Sequence, residues 1–270
     1  MPTTLSYTTY RNEAVQPWII FLHGLGGNYQ IFNKQIEPFR AHYNLLFINL
    51  PGHGQSPYRK TNNLLSTTSK QVIDVLNAEK IPSAHFLGVS LGTVIMQQIA
   101  MEYPDRIKSM VLAGAAGKWL KWGEWIGRLA ISFPFRYILP YMLPYTIFAH
   151  ILMPKPNHSK SRNIFLQEAR KLGKPAYLGW TYVIRDSYKV YEQLRENLNT
   201  IPKLYVSGAE DHMFLKGIQN HVKLEAKAKL HTIPHCGHVC NIEEADIFNG
   251  LALEFLEQVG KEEEAYWGVS

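Results

Sequence analysis

Ser90 stands in the pentapeptide Gly88-Val89-Ser90-Leu91-Gly92, a serine held between two glycines in the pattern G-x-S-x-G. A serine hydroxyl is a weak nucleophile until a base takes its proton, and the base works best when an acid fixes its orientation. Two downstream segments offer such groups: Gly208-Ala209-Glu210-Asp211 carries two carboxylates, and His235-Cys236-Gly237-His238 carries two imidazoles. Serine, then acid, then histidine is an order that suits acyl transfer through a covalent intermediate. On residue types alone, Glu210 competes with Asp211, and His235 with His238. The pentapeptide by itself is equally consistent with a glycine-serine turn that does no chemistry.

The surrounding elements decide between those readings. The apolar runs WIIFLHG, NLLFINLPGHG, AHFLGVS, IKSMVLAGAAG, KLYVSGAED and AKLHTIPHCGH lack alternation, as expected of strands covered on both faces. Between them, STTSKQVIDVLNAEK and TVIMQQIAMEYPDRI carry helical spacing, the second stopped by Pro104. Strands alternating with helices predict an α/β fold with a mostly parallel central sheet flanked by helices. Ser90 then falls at a sharp strand-to-helix turn between AHFL and TVIMQQIAM. Such a turn strains the serine backbone, exposes its hydroxyl and aims a helix N-terminus at developing negative charge. Asp211 and His238 each follow their own strand.

Two further motifs complete a pattern: His23-Gly24-Leu25-Gly26-Gly27 after WIIFL, and Pro51-Gly52-His53-Gly54-Gln55-Ser56 after NLLFINL. With them the chain resembles the α/β-hydrolase superfamily over nearly its whole length. The resemblance implies Ser90 as nucleophile, Asp211 rather than Glu210 as the acid, and His238 rather than His235 as the base. It also implies an oxyanion hole built from the backbone N–H groups of Leu25 and Leu91. His23 and His53 read as hydrogen-bonding supports for their loops. Where the family often shows an acidic residue and then proline after the histidine, this chain has Glu243-Glu244-Ala245. Serine at the elbow separates it from the dehalogenases and epoxide hydrolases of the superfamily, which place aspartate there. Leu91 departs from the tryptophan of proline iminopeptidases.

The alternation lapses between residues 118 and 199, which marks a helical cap or lid inserted into a core of residues 1–117 and 200–270. Trp119, Trp122, Trp125, Phe133 and Tyr137 make the cap aromatic and are candidate contacts for an apolar acyl or aryl group. The competing reading is that such residues, with Tyr141, Tyr145 and Phe148, pack the cap onto the core. Lys118, Lys121, Arg128 and Arg136 could instead meet a substrate carboxylate. The expected activity is hydrolysis of an ester or thioester of a small to medium apolar acyl or aryl substrate through an acyl-enzyme on Ser90. A carbon–carbon bond hydrolase or lyase using the same triad is the alternative within enzymes, and a triad-retaining ligand receptor the alternative outside them.

Composition narrows the class. At 270 residues and 46% hydrophobic, the chain can bury a substantial core. The formal charge of +6 is spread along the sequence in no run longer than a pair, so a solvated surface is expected and nucleic acid is not. Only Cys236 and Cys240 are present, which suits a reducing compartment. His235, Cys236, His238 and Cys240 are zinc-binding types at a spacing that matches no common zinc site, so neither a metal nor an organic cofactor is expected. The N-terminal residues lack a basic segment followed by an apolar one, which makes the cytoplasm the expected location. The apolar stretch 129–153 is broken by Pro134, Pro140 and Pro144, too often for one membrane-spanning helix. Contact of the tryptophan-rich WLKWGEWIGRL with a membrane surface is a lesser alternative to action on a dissolved small molecule. No residue pattern specifies an oligomeric state.

Overall fold

The computed structural model describes residues 5–12, 16–117, 132, 138–196 and 200–267. All six apolar runs form strands: β2 (Trp18–Leu22), β3 (Asn44–Ile48), β4 (Ala84–Val89), β5 (Ile107–Ala113), β6 (Lys203–Gly208) and β7 (Ala228–Ile233). A further strand precedes them, β1 (Tyr7–Tyr10). No apolar run signals it, because its YTTY is only half-buried and is held by antiparallel pairing with β3. The sheet order is β1-β3-β2-β4-β5-β6-β7, with every pairing after the first parallel.

Burial follows position in the sheet. Every residue of β3, β4 and β6 is buried, whereas β7, at the edge, alternates between half-buried and exposed positions. A continuous apolar run can be satisfied only where helices cover both faces, while an edge strand keeps a polar side toward water. The covering helices include α1 (Asn33–Arg40), α2 (Leu64–Ala78), α3 (Leu91–Glu102), and α4 (Met142–Leu152), α5 (Ser159–Ala169), α6 (Lys174–Arg185) and α7 (Ser187–Glu196) between β5 and β6. The last three are α8 (Leu215–Val222), the single turn α9 (Cys240–Glu243) and α10 (Ala245–Trp267). Helix α2 starts where the Asn63 side chain accepts from the Ser66 N–H, an N-cap that satisfies one orphan donor. It packs on α3, while α1 packs on α10, where Gln35 Nε2 donates to Asn249 Oδ1 at 2.8 Å and Asn249 Nδ2 donates to the Lys34 carbonyl at 2.9 Å.

Between β5 and β6 the described residues form helices and no strand, consistent with the lapse in alternation there. Pro144 is tolerated near the start of α4, where its missing N–H is not needed. The aromatic residues Trp119, Trp122, Trp125, Phe133 and Tyr137, and the cations Lys118, Lys121, Arg128 and Arg136, lie outside the described residues. Among the described residues, no helix is long and apolar enough to cross a membrane.

The strand order reverses at β2, whose neighbours are β3 and β4. Ligand crevices open at such a reversal, beyond the C-terminal ends of the strands. Leu22 pairs with Gly88, so the loop after β2 and the turn after β4 emerge side by side.

Candidate active site

Ser90 sits between β4 and α3 with φ of 51° and ψ of −113°, a region that residues with a Cβ seldom occupy. The surroundings hold it there: the Ser90 N–H donates to the Ala113 carbonyl at 3.0 Å, and the Ser90 carbonyl accepts from Thr93 N–H at 2.9 Å and Thr93 Oγ1 at 2.6 Å. Helix α3 must also pass against the end of β2. A Cβ on Gly92 would stand 2.1 Å from the Leu22 carbonyl oxygen, so only glycine permits that approach.

His238 arises three strands away, beyond β7, and reaches the serine because its loop folds back across the end of β5. At Gly114, where φ is +52°, a Cβ would meet the His238 carbonyl oxygen at 2.2 Å. The resulting geometry joins three side chains. His238 Nε2 lies 2.9 Å from Ser90 Oγ, and His238 Nδ1 lies 2.7 Å from Asp211 Oδ2. A carboxylate only accepts, so Nδ1 carries the proton and Nε2 is left to accept from the serine hydroxyl. Asp211 and His238 are each 1% exposed. The second Asp211 oxygen accepts from the Phe214 N–H at 3.2 Å, which keeps the carboxylate from rotating away.

The alternatives left open by residue type separate clearly. His235 points to solvent, with its side chain 91% exposed. Glu210 is engaged elsewhere: Lys155 Nζ donates to it at 2.8 Å, Asn157 Nδ2 at 3.1 Å and His158 Nε2 at 2.8 Å. Those bonds, led by that from Lys155, hold the Glu210 carboxyl down at about 2. Cys236 and Cys240 are buried free thiols, and their hydrogen bond to one another, together with burial, pushes the Cys236 thiol up. Among the described residues, no cluster of His, Cys, Asp and Glu could hold a metal ion.

The first N–H groups of a helix have no partner within it, and Leu91 opens α3 directly after the serine. Leu25 comes to the same place from the loop after β2; a Cβ on neighbouring Gly24 would be 3.3 Å from Ser90 Cβ. Both histidines of the flanking motifs brace this loop. His23 Nε2 accepts from Leu50 N–H at 3.0 Å and its Nδ1–H donates to the Gly24 carbonyl at 2.8 Å. His53 Nε2 accepts from Gly26 N–H at 2.9 Å and its Nδ1–H donates to the Pro51 carbonyl at 3.2 Å. Burial depresses His23 to about 4 and His53 well below its ordinary value, so both rings are neutral acceptors at neutral pH.

Sequence reasoning did not assign Glu243 a role. Its carboxylate accepts from the Gly237 N–H at 2.6 Å and from Ser161 Oγ, on α5, at 2.7 Å. It therefore ties the histidine loop to α5. The acidic residue after His238 was the available signal, but its partner Ser161 is 82 positions distant in sequence. Beside the triad lies a small cavity of about 20 Å³, walled largely by apolar groups including Ile31, Val89, Ile164, Phe165 and Val239.

Comparison with known proteins agrees with this architecture. Residues 17–137 match the family described as alpha/beta hydrolase fold. A 3-oxoadipate enol-lactonase from Acinetobacter baylyi is 32% identical over 119 residues, a match that spans 42% of this chain and 42% of the relative, less than half of either. A 2-hydroxy-6-oxononadienedioate/2-hydroxy-6-oxononatrienedioate hydrolase from Comamonas testosteroni is 28% identical over 266 residues, 88% of this chain and 87% of that one. Among solved structures, the enol-lactonase from Burkholderia xenovorans superposes with a TM-score of 0.74 at 19% identity, covering 94% of this chain and 96% of that one. By its sheet order, its strand-to-helix serine turn and these likenesses, the chain has the α/β-hydrolase fold.

Proposed function

We propose that the protein is a serine hydrolase that cleaves an ester or thioester of a small to medium apolar acyl or aryl substrate through an acyl-enzyme on Ser90. The observation that carries this reading is the unbroken line from Asp211 through His238 to Ser90, at 2.7 and 2.9 Å. His238 takes the proton as Ser90 Oγ attacks the acyl carbonyl, and Asp211 holds the imidazole in the Nδ1–H tautomer and stabilises its charged form. The carbonyl oxygen, now an oxyanion, lies between the Leu25 and Leu91 amides, each contributing on the order of 3 kcal/mol to the transition state. His238 then passes its proton to the leaving group. Water, deprotonated in turn by His238, attacks the acyl-enzyme and releases the acid.

Residues 1–117 and 200–270 act as the catalytic core in this reading, with residues 118–199 as a cap over it. The apolar wall of Ile164, Phe165 and Val239 supports an apolar acyl group. The lactone named for the Acinetobacter relative is a cyclic ester, which supports ester cleavage. A second reading, hydrolysis of a carbon–carbon bond beside a ketone, is favoured by the Comamonas relative, because that likeness runs through nearly the whole of both chains.

The test compares the wild type with Ser90→Ala on short-chain nitrophenyl esters, together with labelling by a fluorophosphonate. The wild type labels at Ser90 and turns over ester; Ser90→Ala does not label and loses about 10⁴-fold or more in kcat. Equal turnover by both proteins removes the proposal. Labelling at Ser90 without ester turnover, but with cleavage of vinylogous diketones, selects the second reading.

A further inference from the structure

The peptide unit joining Leu25 to Gly26 is gripped from both sides. Its N–H donates to His53 Nε2 at 2.9 Å, from the core, and its C=O accepts from Tyr145 Oη–H at 2.9 Å, from α4 of the inserted segment. A peptide is planar, with these two groups on opposite edges. One partner alone would leave it free to swing about the other bond; two opposed partners set the plane. The adjoining peptide carries the Leu25 N–H, and its carbonyl, that of Gly24, accepts from His23 Nδ1–H at 2.8 Å and from Gly27 N–H at 3.1 Å, so the peptides on both sides of Leu25 are held and together limit where its N–H can point.

Both grips are rigid. Tyr145 is 1% exposed, stacks on Phe165 with ring centroids 4.7 Å apart, and meets Tyr177 edge-on at 6.1 Å. Burial raises its phenol well above the ordinary value, which keeps it a donor at any working pH. His53 is anchored through the Pro51 carbonyl, and the same oxygen accepts from Trp180 Nε1–H, on α6, at 2.8 Å. Two helices of the inserted segment therefore bear on one peptide of the core.

We infer that Tyr145 is a positioning residue for the oxyanion hole: its hydroxyl and His53 hold the Leu25–Gly26 peptide between them, so the hole is complete only while α4 is docked on the core. The inference rests on the reading of Leu25 N–H as an oxyanion donor. It makes the inserted segment part of the catalytic apparatus, and substrate entry that displaces α4 would switch off the hole until α4 returns.

The decisive variant is Tyr145→Phe, which keeps the ring stacking and removes one oxygen. Three quantities are measured beside wild type and Ser90→Ala: kcat, KM on a nitrophenyl ester, and the inhibition constant of an aryl trifluoromethyl ketone, whose adduct with Ser90 places an oxyanion in the hole. Expected are a fall in kcat of roughly 10- to 100-fold, a KM within about twofold of wild type, and a weakening of the ketone by the same factor as kcat/KM. Unchanged kcat overturns the inference, as does a fall in kcat with no matching loss of ketone affinity, since a purely structural hydroxyl would lower stability without tracking the transition state. Turnover retained by Ser90→Ala would instead overturn the hydrolase reading, and a dead Ser90→Ala beside a fully active Tyr145→Phe overturns the inference alone.

Discussion

Acid should unfold this protein in a window set by buried histidine rather than by carboxylates. His23 is fully buried and is depressed from 6.5 to about 4 by loss of hydration. In the unfolded chain the same ring takes its proton near the ordinary value. Between the two values the unfolded state binds more protons than the native one, so stability rises with pH across the window and falls on acidification. For a single group shifted this far, the loss between about pH 7 and about pH 5 is roughly 2 kcal/mol. Exposed carboxylates contribute little there, because they protonate mostly below it. His53, depressed in the same direction by burial and by the nearby His23, adds to the loss. Urea unfolding at both pH values and fixed ionic strength reads the effect, with a midpoint shift of about 0.6 M for His23 alone if the slope is about 3 kcal/mol per molar. The control is His23→Gln, which can still accept from the Leu50 N–H but does not titrate. It should be less stable at neutral pH and lose roughly 2 kcal/mol less than wild type between the two pH values. A wild type whose stability is flat across the window, or a His23→Gln protein with the full wild-type slope, would refute the reasoning.

Two substitutions extend the test to other parts of the molecule. Gly92→Ala places a methyl 2.1 Å from the Leu22 carbonyl, between a strand and a helix that cannot both retreat; a loss of about 3 kcal/mol or more in thermal or urea unfolding is expected, with fluorophosphonate labelling falling in parallel. Glu225→Gln removes the carboxylate paired with buried Lys203 and hydrogen-bonded by Tyr205 Oη at 2.8 Å; it should cost about 3–5 kcal/mol in denaturant unfolding. Its kcat should stay near wild type, since Lys203 begins β6 at the end of the strand away from Asp211.

Local chemistry carries much of this architecture in plain view. An apolar run without alternation demands cover on both faces, and the six such runs are the six parallel-paired strands of the sheet. Strand β1 escaped notice because pairing with β3, not burial of an apolar face, makes it a strand. Ser90 was legible because a serine between glycines at a strand-to-helix turn is a local pattern, and the glycines are demanded by contacts of the turn with its neighbours. The split between Asp211 and Glu210 was less accessible. Both carboxylates emerge from β6 one residue apart, and only the packed loop shows one meeting His238 while Lys155, Asn157 and His158 claim the other.

The sequence by itself determined the alternation of strands and helices, the order of serine, acid and histidine, and the glycines that let the loops approach, because each is a property of residue type and near neighbours. The tertiary structure alone decided that Tyr145 meets the Leu25 carbonyl across 120 positions and that Ser161 meets Glu243 across 82. A hydrogen bond depends on direction and distance between two groups, and when those groups lie on separate elements both are set by how the elements pack. The aromatic cap residues looked alike as a list. Among the described residues, packing brings Tyr145 to the Leu25 carbonyl.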